Sequence, residues 1–202
     1  MNKDILICGV GGQGTVLASG IIAASASAEG QLIHSAETIG MAQRGGSVTS
    51  HVRIGEKASS PLVPFGNADL LLAFEPAEAV RNLKYLKKDG TAIVNTAAIK
   101  PVTASLNDTG YDGSEMTEYI SRKCNCIFVD SEKVCAPFGS SKFFNIIMLG
   151  IAAGSGRLGI PKETVLEQIG KRVPRAYVEI NKEAFQAGYA IGSGSGADEI
   201  RE

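Results

Sequence analysis

Residues 5–17 read Ile5-Leu6-Ile7-Cys8-Gly9-Val10-Gly11-Gly12-Gln13-Gly14-Thr15-Val16-Leu17. A short apolar run leads directly into a G-x-G-x-x-G pattern and then into a stretch with helical spacing, which predicts a strand, a tight turn and a helix. We expect Gly9 to allow the turn out of the strand, Gly11 to let the main chain approach a diphosphate, and Gly14 to let the helix pack close to the sheet. The segment therefore predicts the start of an α/β fold and a candidate phosphate cradle.

This predicted turn is a candidate binding site for an anion. A helix N-terminus presents unpaired N–H groups and a partial positive charge, and both favour a phosphate. The expected ligand is of the nucleotide type: NAD, FAD or the ADP part of coenzyme A. The competing interpretation is a glycine-rich turn that binds nothing and serves close packing. The candidate binding residues at this turn are Gly9, Gly11, Gly12, Gln13, Gly14 and Thr15.

Strand and helix patterns alternate after the turn. Residues 15–28 have the small and apolar side chains of a helix that packs on a sheet, Gly30 ends this helix, and residues 31–34 read as a second strand. Further strands are predicted at 48–55, 69–74, 91–95 and 126–130, a turn at 87–90, and helices at 76–86, 116–123, from 143, from 161 and over 177–191. The pattern predicts a doubly wound, mostly parallel α/β sheet with a Rossmann-like βαβ opening and C-terminal helices. We expect a single domain over residues 1–191 and a flexible, Gly/Ser-rich, acidic tail over residues 192–202.

Composition and charge narrow the classes of function. The net charge of −1 gives no electrostatic reason to expect a nucleic acid or an acidic membrane as partner. No apolar run approaches the roughly 20 residues that a membrane-spanning helix needs. The chain begins Met1-Asn2-Lys3-Asp4 before a strand, without the pattern of a signal peptide, so we expect a cytoplasmic protein.

The cysteine spacing does not predict a metal site. The four cysteines are Cys8, Cys124, Cys126 and Cys135. Their spacing matches neither a zinc ribbon nor a ferredoxin cluster, so buried thiols are the favoured interpretation. We also expect Cys124 and Cys126 to lie on opposite faces of a strand, which makes joint binding of a metal awkward.

The two histidines are placed differently by the pattern. His51 lies on an alternating strand, where a satisfied, partly buried side chain is favoured over a general base. His34 is expected at the C-terminal end of the second strand, where open α/β sheets bind ligands, and is therefore a candidate site residue. No H-E-x-x-H, G-x-S-x-G or Walker lysine pattern occurs, and no residue of this chain is predicted to be catalytic.

A second candidate site is Gln43-Arg44-Gly45-Gly46. A guanidinium group offers a planar fork for phosphate or carboxylate, and the glycines next to it allow close approach. A solvated loop arginine is the alternative. A weaker candidate is Ser140-Ser141-Lys142, whose hydroxyls and charge precede a helix.

The end of the second strand argues against NAD or NADP. A dinucleotide-binding protein carries an acid there for the ribose hydroxyls. This chain has His34-Ser35-Ala36 instead, and Glu37 follows only later. The departure weakens a dehydrogenase interpretation.

Three segments together resemble a known family. They are Gly9-Val10-Gly11-Gly12-Gln13-Gly14, Glu37-Thr38-Ile39-Gly40-Met41-Ala42-Gln43-Arg44-Gly45-Gly46-Ser47-Val48 and Phe144-Asn145-Ile146-Ile147-Met148-Leu149-Gly150. They closely resemble the gamma-type domain of 2-oxoacid:ferredoxin oxidoreductases, over nearly the whole chain up to about Ile191. The Met41–Gly46 element is far more specific than the glycine pattern alone.

The resemblance implies a doubly wound α/β module within a larger enzyme. Such enzymes oxidise aryl or other 2-oxoacids, join the acyl group to coenzyme A, release carbon dioxide and reduce ferredoxin. The resemblance also implies that thiamine diphosphate and iron–sulfur clusters belong to a large alpha subunit or to other domains. Carried to this sequence, the turn Gly11–Thr15 would be the candidate anion site, with Arg44 beside it.

Three hypotheses about the chain's own role follow. The first is that it positions the coenzyme A diphosphate or shapes the mouth of the active site. The second is a non-catalytic scaffold, in which the glycine turn and the Gln43–Gly46 loop dock the large subunit. The third, a free-standing nucleotide-dependent dehydrogenase, is disfavoured. The apolar face of the last helix is either core or a homodimer contact.

Overall fold

The computed structural model describes residues 1–39, 46–99 and 111–195. Within these residues six strands form one sheet. The strands are Lys3–Val10 (β1), Ile33–Ile39 (β2), Ser47–Ile54 (β3), Ala68–Ala73 (β4), Leu86–Asn95 (β5) and Asn125–Val129 (β6).

The described residues also form seven α-helices and four 3-10 turns. The α-helices are Thr15–Ala28 (α1), Pro76–Asn82 (α2), Ser114–Lys123 (α3), Ser131–Cys135 (α4), Phe144–Gly154 (α5), Lys162–Arg172 (α6) and Val178–Gly192 (α7). The 3-10 turns are Leu83–Tyr85, Ala136–Phe138, Ser141–Phe143 and Arg175–Tyr177. No single helix in this part of the chain is long and apolar enough to cross a membrane.

The sheet has the strand order β2-β3-β1-β4-β5-β6. β1, β4, β5 and β6 are parallel neighbours, whereas β3 lies antiparallel between β2 and β1. The predicted doubly wound, mostly parallel α/β fold is confirmed. β1, α1 and β2 follow in the predicted order, but β1 and β2 are not neighbours. The connection of residues 40–46 is shorter than the dozen or so residues of a parallel crossover, so β3 pairs antiparallel with β2.

Side chains of the sheet enter two separate cores because they alternate between its faces. On β1, Ile5 and Ile7 face the larger core, while Leu6 and Cys8 face the smaller one. Helices α1, α5, α6 and α7 contribute to the larger core, and α2 and α3 cover the smaller one. The sheet is therefore covered by helices on both faces.

Two pairs of glycines let α5 and α7 pack backbone against backbone. A Cβ atom on any of these four glycines would overlap with a carbonyl oxygen of the facing helix or its end. The four are Gly150 and Gly154 on α5 and Gly188 and Gly192 on α7. The apolar face of the last helix is accordingly core in this structure, and a homodimer contact by α7 stays untested.

Several predicted boundaries were wrong. β2 begins at Ile33 and continues to Ile39, and β5 begins at Leu86, so the predicted turn at 87–90 lies within a strand. The pairing of β4 with β5 is irregular between Ala68 and Leu70, which lets β5 run through this segment with a bulge-like break in register. The last helix ends at Gly192, and residues 196–202 of the predicted tail lie outside the described residues.

Candidate functional site

The glycine turn connects β1 to α1 at the C-terminal edge of the sheet. β1 continues through Gly9 to Val10, and α1 begins at Thr15. Gly12 has φ +102° and Gly14 has φ +77°, values that side chains of L-amino acids rarely allow. Gly9 lies within β1, so the prediction that it forms the turn was wrong; the residues of the turn with positive φ are Gly12 and Gly14.

Gly9 and Gly14 provide space for side chains of the protein itself. A Cβ atom on Gly9 would lie 2.6 Å from Oε1 of Gln13 and 2.9 Å from Cβ of Phe74. A Cβ atom on Gly14 would lie 2.5 Å from Nδ2 of Asn145 on α5. Gly14 therefore allows contact between the start of α1 and α5, and not the predicted contact with the sheet.

The carboxamide of Gln13 joins β1 to β4. Its Oε1 atom accepts a hydrogen bond from the amide of Val10 at 2.7 Å. Its Nε2 atom donates to the carbonyl oxygen of Phe74, just beyond β4, at 2.7 Å. The main-chain amide of Gln13 donates to the carbonyl of Val10 at 3.2 Å. Both polar ends of the side chain are thus used within the protein.

Asn95 continues this arrangement to the end of β5. Its Nδ2 atom donates to the same carbonyl oxygen of Phe74 at 3.0 Å, and its Oδ1 atom accepts from the amide of Ala97 at 3.1 Å. Asn95 is buried. Two carboxamides therefore converge on one carbonyl oxygen and connect the ends of β1, β4 and β5.

The second candidate segment, Gln43–Gly46, contacts the glycine turn through its last residue, Gly46. The amide of Gly11 donates to the carbonyl oxygen of Gly46 at 2.8 Å. Gln43, Arg44 and Gly45 lie outside the described residues, so their roles stay predictions. Gly46 acts here through its carbonyl oxygen, which is a group that repels an anion.

The outer side of the turn is more open than its inner side. Gly12 is exposed, and a Cβ atom on it would meet nothing within 4 Å. Among the described residues, the amides of Gly12, Gly14 and Thr15 have no acceptor. Thr15 itself is buried, and its side chain packs beside Gly9. An anion at this turn would therefore have to bind on the outer side.

His34 lies at the other end of its strand from the predicted position. It is the second residue of β2 and pairs with Arg53, which in turn pairs with Asp4 near the start of β1. Gly9 lies five positions further along β1 than Asp4. The row of paired residues that contains His34 is therefore about 17 Å from Gly9, at roughly 3.3 Å per residue. The predicted position at the C-terminal edge was wrong because β2 begins later and extends further than its apolar pattern indicates.

His51 is a buried side chain with an internal partner, as favoured. It is 4% exposed, and its Nδ1 atom accepts a hydrogen bond from the amide of Val63 at 3.1 Å. The ring packs edge-on against Tyr85. Burial lowers the pKa of His51 below its ordinary value. The neutral ring is therefore the form that this site favours.

Two buried carboxylates at the same edge of the sheet were missed by sequence reasoning. Glu75 is 2% exposed and caps α2, where it accepts from the amide of Glu78 at 2.9 Å. Its other oxygen accepts from the hydroxyl of Tyr111 at 2.5 Å. Burial and Glu75 together raise the pKa of Tyr111. An acidic residue directly before Pro76 is a helix N-cap signal that could have identified Glu75.

Glu78 forms the second carboxylate of this cluster. It is 1% exposed, accepts from the hydroxyl of Ser47 at 2.6 Å and forms an ion pair with Arg81. Ser47 directly follows Gly46 and pairs with Val10 at the end of β1. The cluster therefore places negative charge beside the glycine turn.

The thiols of the four cysteines are poor candidates for reactive groups. Burial raises the pKa of each thiol, to about 11 for Cys124 and Cys135, and at Cys8 the charges of Glu78 and Glu75 add to this effect. Cys124, directly before β6, and Cys126, within it, pack against the same core, so the prediction that they lie on opposite faces of a strand was wrong. In the described part of the chain, no three His, Cys, Asp or Glu side chains are grouped to hold a metal ion.

The weaker candidate Ser140-Ser141-Lys142 forms a local cap. The hydroxyl of Ser140 accepts from the amide of Lys142 at 3.3 Å at the start of a 3-10 turn that leads into α5. Lys142 is exposed. The Ser140 hydroxyl is therefore engaged in structure.

Comparison with known proteins identifies the family to which this chain is similar. The family model described as pyruvate ferredoxin/flavodoxin oxidoreductase matches residues 4–191. The indolepyruvate oxidoreductase subunit IorB of Archaeoglobus fulgidus is 39% identical over 193 residues, with 94% of each chain covered. The common gamma subunit of the pyruvate/ketoisovalerate oxidoreductases of Pyrococcus abyssi is 28% identical, with 91% of this chain and 95% of that subunit covered.

Solved structures share the architecture. The gamma subunit of the keto/oxoacid ferredoxin oxidoreductase from Geobacter sulfurreducens has a TM-score of 0.70 and 25% identity, and 95% of this chain and 99% of that one are covered. The 2-oxoglutarate:ferredoxin oxidoreductase from Magnetococcus marinus has a TM-score of 0.74 at 19% identity, and the match spans 31% of that longer chain, a likeness of fold alone. The chain therefore belongs to the pyruvate ferredoxin/flavodoxin oxidoreductase family, as a gamma-type subunit of a 2-oxoacid ferredoxin oxidoreductase.

Proposed function

We propose that this chain is the cluster-free subunit of an enzyme that oxidises indolepyruvate or a related aryl-pyruvate, with coenzyme A as acyl acceptor and ferredoxin as electron acceptor. Thiamine diphosphate and the iron–sulfur clusters belong to a large partner subunit in this proposal. The observation that carries it is the pattern of identity: 39% to an indolepyruvate oxidoreductase subunit over nearly the full length, against 28% to a pyruvate/ketoisovalerate gamma subunit. The cytoplasmic location stays a prediction.

Co-expression with the large subunit tests this function. We expect a brown, cluster-bearing complex that reduces ferredoxin with indolepyruvate and coenzyme A, and that turns over pyruvate and 2-ketoisovalerate more slowly. A complex that prefers pyruvate would refute the proposed substrate. A colourless chain that is active alone would refute the proposed division of labour.

Within the complex, we propose that the chain's main role at the glycine turn is docking. The inner groups of the turn are used by Gln13, whereas Gly12 and Val16 on its outer side are exposed, Val16 by 42%. In this proposal the exposed side chain of Val16, directly after the turn, contributes to the contact with the large subunit. We expect Val16→Lys to reduce co-purification of the large subunit. Leu32→Lys is the matched control, because Leu32 is 59% exposed just before the start of β2, at the opposite edge of the sheet.

A second candidate role is a contact with coenzyme A. The open space at Gly12 and the positive end of α1 favour it, together with the predicted role of Arg44. Calorimetric titration of coenzyme A into the chain and into the complex, with Arg44→Ala and the control Arg157→Ala, distinguishes the roles. Binding lost only in Arg44→Ala supports the ligand contact. Binding to the complex that is equal in both variants supports docking alone.

A further inference from the structure

We propose that Ser47 and Glu78 are positioning residues for the glycine turn, and that the contact of this turn with coenzyme A depends on them. This rests on the proposed function, in which the open outer side of the turn is offered to coenzyme A. Ser47 begins β3, and Glu78 lies in the first turn of α2. The hydroxyl of Ser47 donates to Oε2 of Glu78 at 2.6 Å.

Main-chain hydrogen bonds connect Ser47 to the glycine turn. Val10 and Ser47 are the last pair of the ladder between β1 and β3. One step beyond this pair, the amide of Gly11 donates to the carbonyl oxygen of Gly46 at 2.8 Å. The end of a strand pairing opens more readily than its middle, and Ser47 is exposed. The bond from Ser47 to Glu78 therefore anchors the end of β3 from which Gly46 reaches the turn.

The fixed bond at Gly11 sets the direction of the amides that follow it. Gly12 and Gly14 hold φ values of +102° and +77°. Within the part of the chain that the structure describes, the amides of Gly12, Gly14 and Thr15 have no acceptor. Donors that are already held in place bind a ligand more tightly than donors that must first be ordered. Loss of the anchor at Ser47 should therefore weaken binding of a diphosphate without changing a group that touches it.

The surroundings of Glu78 hold its carboxylate in one place. Glu78 is 1% exposed, and its main-chain amide donates to Oε2 of Glu75 at 2.9 Å. Its second carboxylate oxygen forms an ion pair with Arg81. A buried charge needs such partners, because burial without them is costly. Since Arg81 balances the charge of Glu78, the anchor does not place an unpaired negative charge against the diphosphate.

Hydrogen exchange of the Gly11 amide, measured by nuclear magnetic resonance on the full chain, tests the anchor. We expect Ser47→Ala to speed this exchange by roughly fivefold to tenfold, the equivalent of one hydrogen bond. Ser47→Thr, which keeps the hydroxyl, should leave the exchange as it is. Tyr111→Phe is the matched control, because it removes a donor from Glu75 and leaves the bond between Ser47 and Glu78 intact. Unchanged exchange in Ser47→Ala, or equal acceleration in Tyr111→Phe, would overturn the inference.

Ferredoxin reduction by the complex at varied coenzyme A separates positioning from a merely structural role. We expect Ser47→Ala to raise the KM for coenzyme A by roughly fivefold to tenfold, again the equivalent of one hydrogen bond, with little change in kcat or in the KM for the 2-oxoacid. Ser47→Thr and Tyr111→Phe should keep the KM for coenzyme A. Calorimetric titration of coenzyme A into the same complexes should rank their affinities in the same way.

The outcomes also distinguish this inference from the proposed contact itself. An unchanged KM and an unchanged affinity for coenzyme A in Ser47→Ala would overturn the positioning role. If Arg44→Ala weakens binding in the same experiment, the contact with coenzyme A stands and only the positioning role fails. If neither variant weakens binding, both the contact and the positioning role fail.

Discussion

The Cα atom of Gly188 on α7 packs against the carbonyl oxygen of Ile147 on α5. A Cβ atom on Gly188 would overlap with that oxygen, and Ile147 is itself fully buried. Because the obstructing atom belongs to a helix backbone, it cannot rotate aside as a side chain could. The close approach of α5 and α7, which cover one face of the sheet, therefore depends on the absence of a side chain at Gly188.

We expect Gly188→Ala to destabilise the protein by about 1–3 kcal/mol, the usual effect of overpacking a core. Urea unfolding of the purified chain, followed by circular dichroism, measures the change. Gly170→Ala is the control, since a Cβ atom there would lie 3.7 Å from Val178, an ordinary contact, and alanine favours the helix. Equal effects of the two substitutions would contradict the close crossing of α5 and α7.

Gln13→Met keeps the length of the side chain and removes its hydrogen bonds. The amide of Val10 loses its partner, whereas the carbonyl of Phe74 keeps its bond from Asn95. We expect a loss of about 1–3 kcal/mol in the free energy of unfolding, the cost of leaving a buried polar group unpaired. Gln186→Met, on the exposed side of α7, should change the same quantity by less than about 0.5 kcal/mol.

The stability of the fold should fall as the pH drops below about 6.5, the ordinary pKa of histidine. Burial lowers the pKa of His51 in the folded chain, so the neutral ring is favoured there and its contribution is fully present above the unfolded pKa. It is lost as the pH falls towards the folded pKa, because the protonated ring cannot accept the hydrogen bond from Val63.

Unfolding in urea at several pH values between 7.5 and 5 checks this dependence. We expect His51→Gln, which does not titrate at this position, to remove part of the slope. A slope that persists unchanged in His51→Gln would assign the effect to carboxylates.

Tyr111→Phe removes the hydroxyl that donates to Glu75 and accepts from the amide of Ala77. The buried carboxylate then lacks one donor, and hydrogen bonds to charged groups contribute about 1.5–3 kcal/mol. We expect a loss of stability within that range. Tyr177→Phe, at a side chain that is 55% exposed, is the control and should have little effect. Thermal unfolding of both variants provides the measurement.

The opening of the fold was predictable because its signals are local. The apolar run of β1, the glycine turn and the start of α1 at Thr15 all follow from neighbouring residues. The family resemblance rested on short segments of the same kind, and the full-length comparison agrees with it. Strand and helix types were correct wherever the periodicity was long.

Strand pairing and strand ends could not be read in the same way. β2 extends to Ile39 because its whole length pairs with β3, from Ile54 to Val48. That pairing is formed between segments, and the apolar pattern of residues 31–34 does not contain it. The misplacement of His34 is a direct result.

The roles of the glycines depend on residues far along the chain. Phe74 occupies space that a side chain on Gly9 would need, and Asn145 occupies space that a side chain on Gly14 would need. The sequence pattern specifies that these positions lack side chains, but it does not say what occupies the space. The same holds for Glu75, whose position before Pro76 signals a cap, while its contact with Tyr111 becomes visible only in the folded chain.

The central place of β1 has a consequence for synthesis on the ribosome. Its antiparallel neighbour is complete once residue 54 has emerged, but its parallel neighbour β4 ends only at Ala73. Between these two points one edge of β1 remains without a partner, with Ile5, Leu6 and Ile7 beside it. An open strand edge with apolar residues on a nascent chain invites aggregation, and the arrival of β4 closes this edge of β1.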